Sequence, residues 1–233
     1  MRPGFDQSPV NPLPPVVWVL ILPIAATEIL FALGGVGFVG GQSGIGLRSN
    51  AINWAFFSPE FLVRMWQTGD LNPDYLRRLV TYPFVHLSAL NALFVGVFTL
   101  ALGKMVAEYF KPAAVLVLFF GSAIGAALIY TLFALLVPVR ISPLVGGYPA
   151  VYGFVGAFTF ILWTRLGMEN ANRMRAFTLI GMLLLFQLVF GVVFGNSDYV
   201  WVAEIAGFCV GFALCFVLVP GGIARVLREL RRR

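Results

Sequence analysis

Apolar positions in this chain do not alternate with polar ones but run on for about 17 to 25 residues at a time. Six such runs fall at 16–38, 79–101, 113–137, 149–165, 176–195 and 200–219. That length is what an α-helix needs to cross a bilayer, and the runs show none of the period-2 pattern of a strand. The chain therefore reads as an all-α integral membrane protein with six transmembrane helices. Residues 1–15 form an N-terminal segment, 16–219 one bundle, and 220–233 a basic tail.

The polar intervals are short except the first, which covers about 39–78. Within it, Phe61, Leu62, Met65 and Trp66 recur at helical spacing, so a short helix lying in the membrane interface and anchored by Trp66 is expected. The third run ends in VPVRISPLVGG, whose two prolines make an irregular loop leading into VGGYPAVYGFVGAF. Pro149 suits the first turn of the helix that follows, where its missing N–H leaves no bond unmade.

Composition agrees with this reading. The 233 residues are 60% hydrophobic and 11% charged, too little polar surface for an ordinary soluble domain. The net charge of +6 reflects topology. With six spans, Arg2, Lys104, Lys111, Arg165, Arg173, Arg175 and the tail arginines 225–233 share a side, against Arg48, Arg64, Arg77, Arg78 and Arg140. The positive-inside rule then places both termini in the cytoplasm, with the tail RVLRELRRR near anionic lipid. Nucleic-acid binding is excluded, because the basic residues line membrane edges and form no separate domain. The opening residues lack the short apolar core and cleavage site of a signal peptide, so the first run reads as an anchor that stays. Cys209 and Cys215 lie about 240° apart around one helix and cannot pair with each other. No internal repeat of the kind that builds transporters is visible.

Polar groups inside the runs are few, and each is expensive there. Glu28 lies in run 1, where it either pairs with a polar neighbour or faces an aqueous cavity. His86 and Asn91 lie in the outer half of run 2, Gln187 in run 5 and Glu204 in run 6. Ala203, Gly207 and Gly211 form a small-residue ladder beside Glu204, and Gly153, Gly156 and Ala157 offer a matching face on run 4. Pairing those faces brings Glu204 toward Tyr148, and a hydrogen bond between the two is expected. No His, Cys or carboxylate group has metal-ligand spacing, no glycine-rich phosphate loop follows a strand, and no cofactor is expected.

In three of the runs the residues resemble the rhomboid family of intramembrane serine proteases. The family pattern Arg-Leu-x-Thr-x-x-Phe-x-His is met by Arg78 to His86. Gly-x-Ser-Gly-Ala-x-x-Gly is met at Gly146, Ala150 and Gly153, and Ala-His-x-x-Gly-x-x-x-Gly at Ala203, Gly207 and Gly211. The resemblance implies a six-helix rhomboid-like bundle. The positions that carry its chemistry differ. Tyr148 stands for the nucleophilic serine, Pro149 for the glycine after it, and Glu204 for the histidine base. Asn91 and Val95 stand for the second histidine and the asparagine that help hold the oxyanion.

A serine–histidine dyad needs an imidazole to take the hydroxyl proton and donors waiting for the oxyanion; those side chains are replaced here while the backbone-shaping glycines remain. A site with no catalytic residue is expected, framed by Arg78, His86, Gly146, Pro149, Gly153, Gly207 and Gly211. The resemblance to inactive members implies a pseudoprotease that binds the transmembrane segments of client proteins in a bacterial cytoplasmic membrane. Two other readings stand beside it. One is an active endopeptidase with a relocated dyad of His86 and Ser88 or Ser142, and the other is a small proton-coupled transporter using Glu28 and Glu204.

Overall fold

A computed structural model of the chain describes residues 13–137, 141–185 and 199–219. The described residues are helical throughout apart from turns and one isolated antiparallel bridge. Among the described residues five helices are long and apolar enough to cross a membrane: α1 (Pro15–Gly35), α5 (Ala89–Tyr109), α6 (Pro112–Leu136), α7 (Tyr148–Met168) and α8 (Val200–Leu218). Between α1 and α5 lie three short helices, α2 (Leu47–Ala55), α3 (Pro59–Thr68) and α4 (Pro73–Thr81). The protein is an integral, multi-pass membrane protein. The expected fifth span, 176–195, is described as far as residue 185 and is helical over 178–185. Gln187 and the tail from residue 220 lie outside the described residues.

The second span differs from its expected bounds of 79–101. Leu79 to Thr81 end α4, Tyr82–Phe84 form a single 3-10 turn, and the membrane helix begins only at Ala89. Pro83 supplies no N–H and disfavours helix at the residue before it. Ser88 then starts a new helix, its side chain accepting from the Asn91 N–H at 3.2 Å. The interface helix expected around Trp66 is α3, and Trp66 is 90% exposed.

α7 is the central helix. It packs on α5, α6 and α8, and half of its most apolar window is buried although that window is the least hydrophobic of the five. Lipid tails are as apolar as leucine, so helices in a bilayer associate by close packing. The glycines of α7 and α8 provide it. A methyl group added at Gly207 would strike the Pro149 carbonyl, one at Gly211 would lie 2.6 Å from the Gly153 Cα, and one at Gly156 would lie 2.7 Å from the Phe212 nitrogen. The two backbones therefore touch over two helical turns. Below this seam Phe160, Trp163, Phe212 and Phe216 interlock edge to face, a geometry favoured by the ring quadrupoles.

The helices of the first loop are tied down by arginines. Arg78 donates to the Asn53 and Phe56 carbonyls at 3.0 and 2.9 Å and lies over the Phe56 and Phe61 rings. Arg77 donates to the Trp54 carbonyl and stacks 3.8 Å above the Trp54 ring. The bridge between Phe57 and Leu144 joins this loop to the segment before α7, with bonds of 3.0 and 2.7 Å.

If the α7–α8 seam sets the bundle, Gly211→Ala lowers the thermal unfolding midpoint of the detergent-solubilised protein by the equivalent of about 1–3 kcal/mol, the usual cost of overpacking. Gly181→Ala, whose added methyl meets nothing within 4 Å, leaves it unchanged. Equal midpoints for the two variants would remove the seam from this role.

Candidate functional site

The turn before α7 is where the loop network converges. Gly146 has φ +98°, a conformation glycine adopts without strain, and its N–H donates to the Tyr82 carbonyl at 3.0 Å. Tyr82 is itself fixed, its hydroxyl donating to the Ala123 carbonyl of α6 at 2.9 Å. The Tyr130 hydroxyl holds the Ser142 carbonyl of the incoming loop at 2.9 Å. These bonds place Gly147 and Tyr148 at the head of α7.

His86 lies under that turn and is fully buried. It sits in the extended segment before α5, whereas the expected location was the outer half of the second span. Its Nε2 accepts the Gly147 N–H at 3.3 Å, and its Nδ1 has no hydrogen-bond partner. Among the described residues, His86 hydrogen-bonds to no serine. The His86 carbonyl accepts from Arg48 at 3.0 Å. Arg48 in turn grips the Glu28 carboxylate through both terminal nitrogens, at 2.9 and 2.7 Å, and lies over the Phe31 ring. Such a fork-to-fork pair fixes orientation as well as charge. Of the two readings of Glu28, pairing with a neighbour is the one the structure contains.

Val95 is fully buried and abuts Gly147, where an added methyl would lie 2.7 Å from a Val95 Cγ. Asn91 occupies the first turn of α5 and is half-buried. Tyr148, the first residue of α7, is half-buried, and Pro149 follows it buried.

Glu204 is 7% exposed on the face of α8 that meets α7. The expected donor to it was Tyr148. Tyr152, buried one turn further along α7, lies within electrostatic reach of the Glu204 carboxyl. Tyr148 stays within electrostatic reach. Gly207 seated on Pro149 sets the register that brings Glu204 alongside both tyrosines of the i, i+4 pair. The repeat of tyrosine four positions on was the available signal for Tyr152. Gly147 and Arg48 also went unread as site residues; a backbone donor and a distant loop charge leave no local pattern.

The rhomboid-domain family model matches residues 73–221, well over half of the chain. The chain belongs to the rhomboid family. No curated protein matches it. The match spans the framework positions from Arg78 to Gly211 and begins at α4, so α1 and its Glu28–Arg48 clamp lie largely ahead of it. In this rhomboid-family member Val95 packs against Gly147 and Tyr148 lies within electrostatic reach of Glu204, and the described residues contain no group of three or more His, Cys, Asp or Glu able to hold a metal.

Burial holds the His86 imidazole down to about 4, with Glu28 pulling it up and Arg48 pushing it down as lesser influences. The unfolded chain takes up this proton near 6.5. Between the two values only the unfolded state is protonated, so the stability that neutral His86 contributes is complete above about pH 6.5 and is lost as pH falls toward 4. The thermal midpoint of the wild type is expected to drop across that window. His86→Gln, which keeps an acceptor for the Gly147 N–H, flattens the drop. Parallel curves for the two proteins would show that another group sets the pH dependence.

Proposed function

We propose that this rhomboid-family protein is a pseudoprotease, which binds transmembrane segments of client membrane proteins and influences their assembly, traffic or turnover without cutting them. The observation that carries the reading is the state of the turn before α7. The Gly147 N–H, adjacent to the position of the family's nucleophile, is spent on His86, and Val95 packs against the same glycine. A developing oxyanion needs donors that are free and aimed at it, and losing one such donor costs about 10²- to 10³-fold in rate. Tyr148 supplies a phenol where an alkoxide would have to form, and Glu204 puts a buried carboxyl where the imidazole base would stand.

Client binding by such a bundle fits its construction. Glu204, Tyr152 and Tyr148 give the interior a polar band near one end, and a polar residue in a client helix gains there a hydrogen-bonding partner that lipid does not offer. Cytoplasmic termini, a bacterial cytoplasmic membrane and contact of the basic tail with anionic lipid complete the proposal. The transporter reading loses one of its two carboxylates, because Glu28 is bound in a bidentate ion pair.

Two measurements test this. A fluorophosphonate probe is expected to leave the purified protein unlabelled; robust labelling that disappears on changing a single serine sinks the reading. A photo-crosslinking amino acid at Tyr148, activated in the native membrane, is expected to capture intact membrane proteins through their transmembrane segments. Recovery of cleaved fragments in place of intact partners would point to the protease alternative.

A further inference from the structure

A groove of about 590 Å³ lies between α3 and the end of α6, at the same end of the bundle as Tyr148. Its volume falls in the range of small-ligand sites, about 300–1,000 Å³. One wall is α3, which contributes Glu60, Val63, Arg64 and Gln67; the other is apolar, formed by Ala134, Leu135 and Ile141. Glu60 and Arg64 stand four residues apart on the helix, a spacing at which opposite charges ordinarily pair. Among the described residues neither belongs to an ion pair, and both are exposed. Trp66, on the same helix and 90% exposed, sets α3 at the depth of the headgroups, where indole rings prefer to lie.

From this placement we propose that the groove binds the headgroup of a zwitterionic phospholipid bearing a primary ammonium, drawn from the leaflet at this end of the bundle. Among the described residues the charges of the wall match those of the ligand in kind and number. Arg64 takes the phosphate through its guanidinium fork, Glu60 accepts from the ammonium, and an acyl chain runs down the exposed face of Leu135, which is 63% exposed. An anionic headgroup with no ammonium keeps the contact with Arg64 but brings its charge against Glu60. A quaternary ammonium keeps the charge but has no N–H to give. The site thus selects phosphatidylethanolamine, and its occupancy would brace α3 against α6 beside the loop that leads to Tyr148.

The test uses the full-length protein in bilayers of phosphatidylethanolamine and phosphatidylglycerol in equal amounts, with the lipid retained on gentle release read by native mass spectrometry. The wild type is expected to keep phosphatidylethanolamine over phosphatidylglycerol by about two- to fivefold, the range an exposed ion pair supports. Arg64→Gln lowers retention of both lipids. Glu60→Gln abolishes the preference, and Glu60→Asp, which keeps the charge in the first turn of α3, retains it. A photoreactive phosphatidylethanolamine labels Val63 or Leu135. Equal retention of the two lipids by the wild type, a preference that survives both Arg64→Gln and Glu60→Gln, or labelling confined to the far end of the bundle overturns the proposal.

Discussion

Everything near the site depends on two backbones touching. In lipid the burial of apolar side chains does little to hold helices together, so α7 and α8 associate through contact at their glycines. Gly207 against Pro149 and Gly211 against Gly153 leave no space for a side chain between them. Once that register is set, Glu204 has one place to go. It lies one turn from Gly207, buried, with Tyr148 and Tyr152 of α7 within electrostatic reach. A register shifted along the ladder would move Glu204 toward lipid or toward the helix end, and a carboxyl is expensive in lipid.

A second constraint acts from the side of the first loop. Arg48, Arg77 and Arg78 each donate to backbone carbonyls and lie over aromatic faces of neighbouring segments, while Arg48 and Arg77 also pair with Glu28 and Asp74. Their targets are the carbonyls at helix ends and turns, groups that have no partner in their own helix. Through the His86 carbonyl and His86 Nε2, the Glu28–Arg48 pair on α1 and α2 is connected to the Gly147 N–H. The head of α7 is thus held by three separate parts of the chain. A network of this kind favours one arrangement of the turn, and that arrangement directs a backbone donor at an imidazole.

Much of this was written in the sequence. Uninterrupted apolar runs gave four membrane helices to within a few residues, because length and hydropathy are local properties that the bilayer reads directly. The glycines at 153, 207 and 211 gave the helix pair and its register, since only a residue without a side chain permits such an approach. The second span was misplaced by more than two turns, because apolar residues continue through Tyr82 and Phe84 although Pro83 and the Ser88 cap break the helix. Hydropathy does not register a turn made of apolar residues.

The sequence by itself determined an all-helical membrane protein of the rhomboid family and the identities Tyr148, Glu204, Asn91 and Val95 at positions where the family carries its chemistry. The tertiary structure decided who bonds to whom. That Glu28 meets Arg48 and that His86 takes the Gly147 N–H each depend on distances between segments far apart in the chain. A side chain's partner is fixed by how backbones pack, and packing is a property of the whole bundle.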